Sequence, residues 1–175
     1  SVITHRLLEA GAAVTVVDRP GATPPADAGF LPCDVTDPGA VTALFDAMSS
    51  LHIVVHAAGV AHDAMLWKMT DEQWNGVLRV NLDSAFYVLR AATPLLRRTG
   101  SGSVILIASI NGERGKMGLS NYAASKAGLI GLGRTAAREL GAFGIRVNVI
   151  SPGYIRTPMT QHLSEAIFER ARAET

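Results

Sequence analysis

The chain has 175 residues, 48% of them hydrophobic and 18% charged, and carries a net charge of +1. That length suits one domain with a sizeable core, and the composition excludes a disordered chain. The small net charge gives no reason to expect nucleic acid or a membrane as partner, and no run is long and apolar enough to span one.

Residues 2–10 read as the tail of an amphipathic helix closed by Gly11. Residues 14–18 form a short buried strand ending in Asp18, and residues 19–29, rich in Pro, Gly and Ala, form a loop. A second strand over 30–33 runs into Asp34 and Val35, followed by a helix over 37–48 with apolar Val41, Leu44, Phe45 and Met48. A fully buried strand over 51–56 leads into Ala57, Ala58 and Gly59. A single long helix is expected over 71–98 with Thr70 as its N-cap. A strand begins at Val104, a helix runs from Asn121 past Leu140, a strand covers 146–150, and residues 164–173 are again helical. Cys33 is the one cysteine, so no internal disulfide can form; it reads as a buried small hydrophobe in a reducing, cytoplasmic setting. The five histidines lack ligand spacing, so no metal is expected.

Short apolar strands alternating with amphipathic helices predict an open, doubly wound parallel α/β sheet, Rossmann-like, as a single domain over 1–175. Such a fold should open on a strand and a glycine-rich phosphate turn, yet this sequence opens partway along a helix and stops on one. The expectation is a record incomplete at both ends, lacking the first strand, the glycine turn and a C-terminal strand.

The chemistry concentrates between Ser109 and Lys126. Tyr122 and Lys126 stand four residues apart at the start of a helix, hence on one face. A phenol with a pKa of about 10 is a poor base at neutral pH, and a neighbouring positive charge favours its phenolate. A tyrosine so placed can take a proton from an alcohol or give one to a carbonyl oxygen. Ser109, at the end of a strand, can hold the same oxygen. Tyr-x-x-x-Lys by itself is a weak motif; a half-buried aromatic beside a solvated lysine would look the same.

With these pieces placed, the sequence resembles the short-chain dehydrogenase/reductase family, in its 3-oxoacyl reductase-like branch. The resemblance implies Tyr122 as acid/base, Lys126 as its partner and ribose ligand, Ser109 as substrate-orienting hydroxyl, and Asn81 as the helix asparagine holding a water on the proton path. It implies Asp18 on the adenosine ribose hydroxyls, favouring NAD over NADP, although the adjacent Arg19 could accommodate a 2′-phosphate. Asp34 and Val35 match the pair beside the adenine. Ala57, Ala58 and Gly59 occupy the family's Asn-Asn-Ala-Gly stretch, with His56 and Ala57 in place of the asparagines, so the amides that brace the central strands are lost. Pro152, Gly153, Ile155 and Thr157 match the segment around the nicotinamide.

The resemblance implies an NAD(H)-dependent oxidoreductase interconverting a secondary alcohol and a ketone. The alternative is an NADPH-dependent reductase of 3-oxoacyl thioesters. Against that alternative, Phe143 stands where carrier-protein reductases often place a basic docking residue. A non-catalytic dinucleotide-binding module and a tyrosine-base epimerase or dehydratase are the rival classes. Residues 116–119 and 65–67, with Tyr154 and Met159, are candidates for an apolar substrate wall or for packing under a loop. The helices over 71–98 and 121–142 resemble the family's subunit contact, implying a homotetramer or homodimer.

Overall fold

The computed structural model describes residues 2–155. Thr157, Met159 and the helix expected over 164–173 lie outside the described residues.

Helix α1 (Val2–Glu9) ends in a glycine-dependent turn: Gly11 has φ +82°, and the Gly11 and Ala12 amides return to the Leu8 and Leu7 carbonyls at 2.9 and 3.0 Å. Strands β1 (Thr15–Asp18) and β2 (Gly29–Pro32) pair in parallel, with Val16 opposite Phe30. Strands β3 (Ile53–His56), β4 (Gly102–Ile107) and β5 (Ile145–Ile150) form a second parallel sheet in that order. The parallel α/β architecture expected from the alternation is therefore present. One continuous sheet is not: among the described residues there are two half-sheets. The edges of β1 and β3 that carry no partner strand both line one cavity of about 1260 Å³, with Leu7, Val41, Phe45 and Val88.

The connecting helices start where local chemistry permits. Asp37 caps α2 (Pro38–Asp46), its carboxylate accepting from the Gly39 and Ala40 amides at 2.8 and 3.1 Å, with Pro38 tolerated in the first turn. Thr70 caps α3 (Asp71–Leu78) in a reciprocal capping box with Gln73. The single helix expected over 71–98 is instead α3, a π turn over Arg79–Asp83, and α4 (Ser84–Thr99). The extra residue of a π turn barely disturbs the apolar period, so hydrophobic patterning cannot register it. A short helix, α5 (Asn111–Arg114), also went unread, because four residues are too few to show a period. Helix α6 (Ser120–Leu140) begins beside Tyr122 and crosses β4 and β5. No helix among the described residues is long and apolar enough to cross a membrane.

The core lies between the three-stranded sheet and these helices. Val104 and Leu106 of β4, Leu96 of α4 and Leu129 of α6 are fully buried; each leucine so buried contributes about 1.5–3 kcal/mol. α2 packs against α4, α4 against β3 and β4, and α6 against β4 and β5. Close approach of α6 to β5 depends on Gly133, where an added Cβ would run into Val149. Two residues earlier, a Cβ at Gly131 would meet open space.

This contrast gives a paired expectation. Gly133→Ala overpacks the helix–strand contact and lowers stability by about 1–3 kcal/mol. Gly131→Ala gains helix propensity and raises stability by up to about 1 kcal/mol. Urea denaturation of both variants against the parent checks the order; equal midpoints for the two would contradict the packing.

Candidate active site

β4 ends at Ile107, and the chain then turns through Ala108 and Ser109 into α5. The turn is pinned to the end of β5: the Ala108 amide donates to the Ile150 carbonyl at 2.8 Å, and the Ile110 amide to Pro152 at 3.0 Å. Ser109 is buried, and its hydroxyl accepts from the Asn111 amide at 3.2 Å. Pro152 and Gly153 are thus held beside the serine turn. Ile155, further on, is 57% exposed.

α6 brings Tyr122 and Lys126 to the same strand end. The Lys126 side chain is 4% exposed and donates from Nζ to the Ile107 carbonyl at 2.8 Å. Nζ lies 5.6 Å from the centre of the Tyr122 ring, so ammonium and phenol are neighbours as the spacing predicts. Burial brings the Lys126 ammonium down to about 8, close to neutrality, since the charged form loses solvation there. One glycine permits this seat: a Cβ at Gly112 would stand 2.7 Å from the main-chain carbon of Lys126, whereas one at Gly59, 3.5 Å from Nζ, would make ordinary contact.

Asn81 lies in the π turn and is fully buried. Its side-chain carbonyl accepts from the Val60 amide at 2.8 Å, and its amide donates to the Val60 carbonyl and to Ser125 Oγ, both at 3.0 Å. The Ser125 hydroxyl in turn donates to the Tyr122 carbonyl at 2.7 Å. The Asn81 side chain therefore ties the loop after β3 to the first turn of α6. Asn121 makes a second tie, donating to the His62 and Gln73 carbonyls at 3.1 and 3.0 Å and accepting from the Tyr122 amide at 2.7 Å. Sequence reading missed Asn121 and Ser125, although an asparagine at a helix start is a usable sign of side-chain-to-backbone bonding.

The residues assigned to the adenosine end line the cavity beside β1 and β3, whose lining includes none of Ser109, Tyr122, Lys126 and Asn81. Asp18, Asp34, Val35, Ala57, Ala58 and Gly59 all line it. Asp18 is exposed at the end of β1, one carboxylate oxygen accepting from the Arg19 amide at 2.7 Å. The amide and hydroxyl of Thr36, at 2.9 and 2.8 Å, hold the Asp34 carboxyl below the usual carboxylate range, and Arg19 and Arg79 act in the same sense. The two candidate substrate loops also meet: Ala64 pairs with Leu119 as an isolated parallel bridge, its amide 2.9 Å from the Gly118 carbonyl. Leu66, Trp67 and Met117 are strongly exposed on these loops.

Where the strand-bracing amides are absent, His56 makes a tie of another kind: it is 4% exposed and its Nε2 lies 2.8 Å from Ser84 Oγ, joining β3 to α4. Burial, reinforced by the charge of Lys126 and only partly offset by its own main chain, drives the imidazole down to about 4. An unfolded histidine titrates near 6.5, so between the two values the unfolded chain binds a proton that the folded chain refuses. The stabilisation is complete above pH 6.5 and drains away as pH falls towards 4. Between pH 7 and 5 it amounts to on the order of 1–2 kcal/mol. His56→Gln should remove this component, which urea unfolding at both pH values measures.

Comparison with known proteins places the chain in a family. The family model described as enoyl-(acyl carrier protein) reductase matches residues 1–175. The (3R)-3-hydroxyacyl-CoA dehydrogenase of Canis lupus familiaris is 44% identical over 143 residues, covering 78% of this chain and 55% of that protein. The 3-oxoacyl-[acyl-carrier-protein] reductase MabA of Mycobacterium tuberculosis is 40% identical over 173 residues, covering 97% of this chain and 70% of that protein. The 3-oxoacyl-[acyl-carrier-protein] reductase FabG of Escherichia coli is 39% identical over 136 residues, covering 75% of this chain and 56% of that protein. The chain spans about half the length of the hydroxyacyl-CoA dehydrogenases it matches. With a family model matched end to end and these identities, the chain belongs to the short-chain dehydrogenase/reductase family.

Proposed function

We propose that this chain is the catalytic portion of a nicotinamide-dependent oxidoreductase that interconverts a 3-hydroxyacyl and a 3-oxoacyl thioester. The observation that carries the redox reading is the Lys126 ammonium, buried and seated 5.6 Å from the centre of the Tyr122 ring at the end of β4. The thioester class rests on relatives named for 3-hydroxyacyl-CoA and 3-oxoacyl-carrier-protein chemistry. It replaces the broader alcohol–ketone reading as the first choice. The argument from Phe143 against such substrates loses force, since the Arg97 guanidinium stacks 3.9 Å from the centre of its ring and supplies positive charge to that surface.

The residues present fit a dinucleotide. Asp18, Asp34 and Val35 border the same cavity as Ala57 to Val60, and Gly59 leaves the approach to Nζ free of a side chain. Asp18 would accept from the ribose hydroxyls and repel a 2′-phosphate, which favours NAD, and Pro152, Gly153 and Ile155 would flank the nicotinamide. Bound there, the nicotinamide supplies the hydride acceptor or donor.

The chain's own residues handle the proton. In the oxidative direction the Tyr122 oxygen takes the hydroxyl proton of the substrate; in reduction it returns a proton to the ketone oxygen. Ser109 holds that oxygen by hydrogen bonding. Lys126 places positive charge beside the phenol and offers its remaining N–H groups to a ribose. Asn81 has both ends of its amide engaged with Val60 and Ser125, so any water it holds would sit on main-chain groups of the π turn. Self-association through α3, α4 and α6 belongs to the same reading, supported by Phe86 standing 45% exposed on α4; sedimentation of the intact protein as a monomer would remove it.

Tyr122→Phe should lower turnover of a short 3-oxoacyl thioester by about 10²–10⁴-fold while dinucleotide binding persists. The parent should use NADH in preference to NADPH, and Asp18→Asn should narrow that preference. Near-normal turnover in Tyr122→Phe would overturn the proposal. So would a parent that binds dinucleotide without ever oxidising it.

A further inference from the structure

His56 begins one run of hydrogen bonds, through Ser84 to the Val80 carbonyl, and the next residue, Asn81, begins a second that ends at the main-chain carbonyl of Tyr122. The Ser84 hydroxyl has one proton, and its 2.6 Å contact with the Val80 carbonyl commits that proton to a carbonyl, which can only accept. His56 Nε2, 2.8 Å from the same oxygen, must then be the donor. The ring is held as the neutral Nε2–H tautomer, and Nδ1 has no hydrogen-bond partner. Val80 and Asn81 are consecutive residues of the π turn. From Asn81 the line continues to Ser125 Oγ at 3.0 Å and from Ser125 to the Tyr122 carbonyl at 2.7 Å. The same Asn81 side chain grips Val60, next to Gly59, whose position lies beside Lys126 Nζ.

We propose that His56 is a positioning residue for the Tyr122–Lys126 pair, acting through Ser84, the π turn, Asn81 and Ser125, with Nε2 as the working nitrogen. A π turn holds a residue beyond the α-helical count, so its backbone is the most displaceable segment between α3 and α4. Ser84 fixes it from the sheet side and Asn81 from the α6 side. The fully buried Ser84 hydroxyl would lose a partner if the imidazole let go, and an unmet buried group drives local rearrangement. The rearrangement would reach the first turn of α6, where the phenol is carried.

The proposal rests on the oxidoreductase reading, and the test separates the two. A glutamine amide can reproduce a donor at the Nε2 position, whereas a leucine of similar size has none. His56→Leu and Ser84→Ala should each lower kcat by about ten- to a hundredfold with KM within about twofold, the signature of misplaced chemistry with intact binding. His56→Gln should keep most of the turnover. In the same proteins, the Tyr122 and Ser125 amide resonances should move in His56→Leu and Ser84→Ala and stay in place in His56→Gln. Equal kinetics for the glutamine and leucine variants, or unmoved resonances in Ser84→Ala, would overturn the positioning role. A parent inert towards both nicotinamides and thioester would instead remove the oxidoreductase reading, and the resonances alone would then decide on His56.

Discussion

The site depends on one ammonium taken out of water. Lys126 is almost wholly buried, and the fall of its ionisation to about 8 corresponds to a cost on the order of 3 kcal/mol for keeping it charged near neutrality. A fold tolerates such a group when the burial is offset elsewhere. Here a carbonyl at the end of β4 accepts one of its N–H groups, and Gly112 keeps carbon away from the main chain beneath it. The strand end, the loop after β3 and the first turn of α6 are therefore placed with respect to a single charge. Residues around a buried charge near its own ionisation are those for which small movements change chemistry most.

Polar groups organise this neighbourhood more than apolar ones do. Asn81, Asn121, Ser84 and Ser125 are all fully buried, and each joins two segments distant in sequence or anchors a turn. Leucine packing would hold the same segments together but would leave their relative height along the helix axis loosely defined. A network with its buried amides satisfied fixes that height, because each bond has a preferred length and direction. The π turn belongs to the network: it brings Asn81 into line with Val60 on one side and Ser125 on the other.

Much of this was legible in the sequence. The shared helix face of Tyr122 and Lys126 follows from their spacing, the place of Ser109 from the strand before it, and the parallel sheet from the alternation of short apolar runs with amphipathic ones, although the tyrosine–lysine spacing by itself is a weak motif. Thr70 announces its helix through capping chemistry that is local by nature. The π turn was not legible, since one inserted residue leaves the apolar stripe nearly unchanged. The His56–Ser84 bond was not legible either. It joins residues 28 positions apart, and a histidine in place of an amide gives no sign of which nitrogen will find a partner. The charge beside Phe143 was hidden for a similar reason: Arg97 is remote in sequence and only the fold brings it to that ring.

Ser109, Tyr122, Lys126 and Asn81 are carried by β4 and by helices packed on the β3-β4-β5 sheet, whereas Asp18, Asp34 and Val35 belong to β1, β2 and the turn after them. The first group is joined by directional hydrogen bonds, from Asn81 to Ser125, from Ser125 to the Tyr122 carbonyl and from Lys126 to the Ile107 carbonyl. The second group is tied to the first by apolar packing, with Val41 and Phe45 of α2 in the cluster that holds Val88 and Leu89 of α4, and by the charge of Arg79, which favours the Asp34 carboxylate. Hydrogen bonds have a preferred length and direction, whereas apolar contacts have neither, so the first group holds its internal geometry more tightly than its distance to the carboxylates.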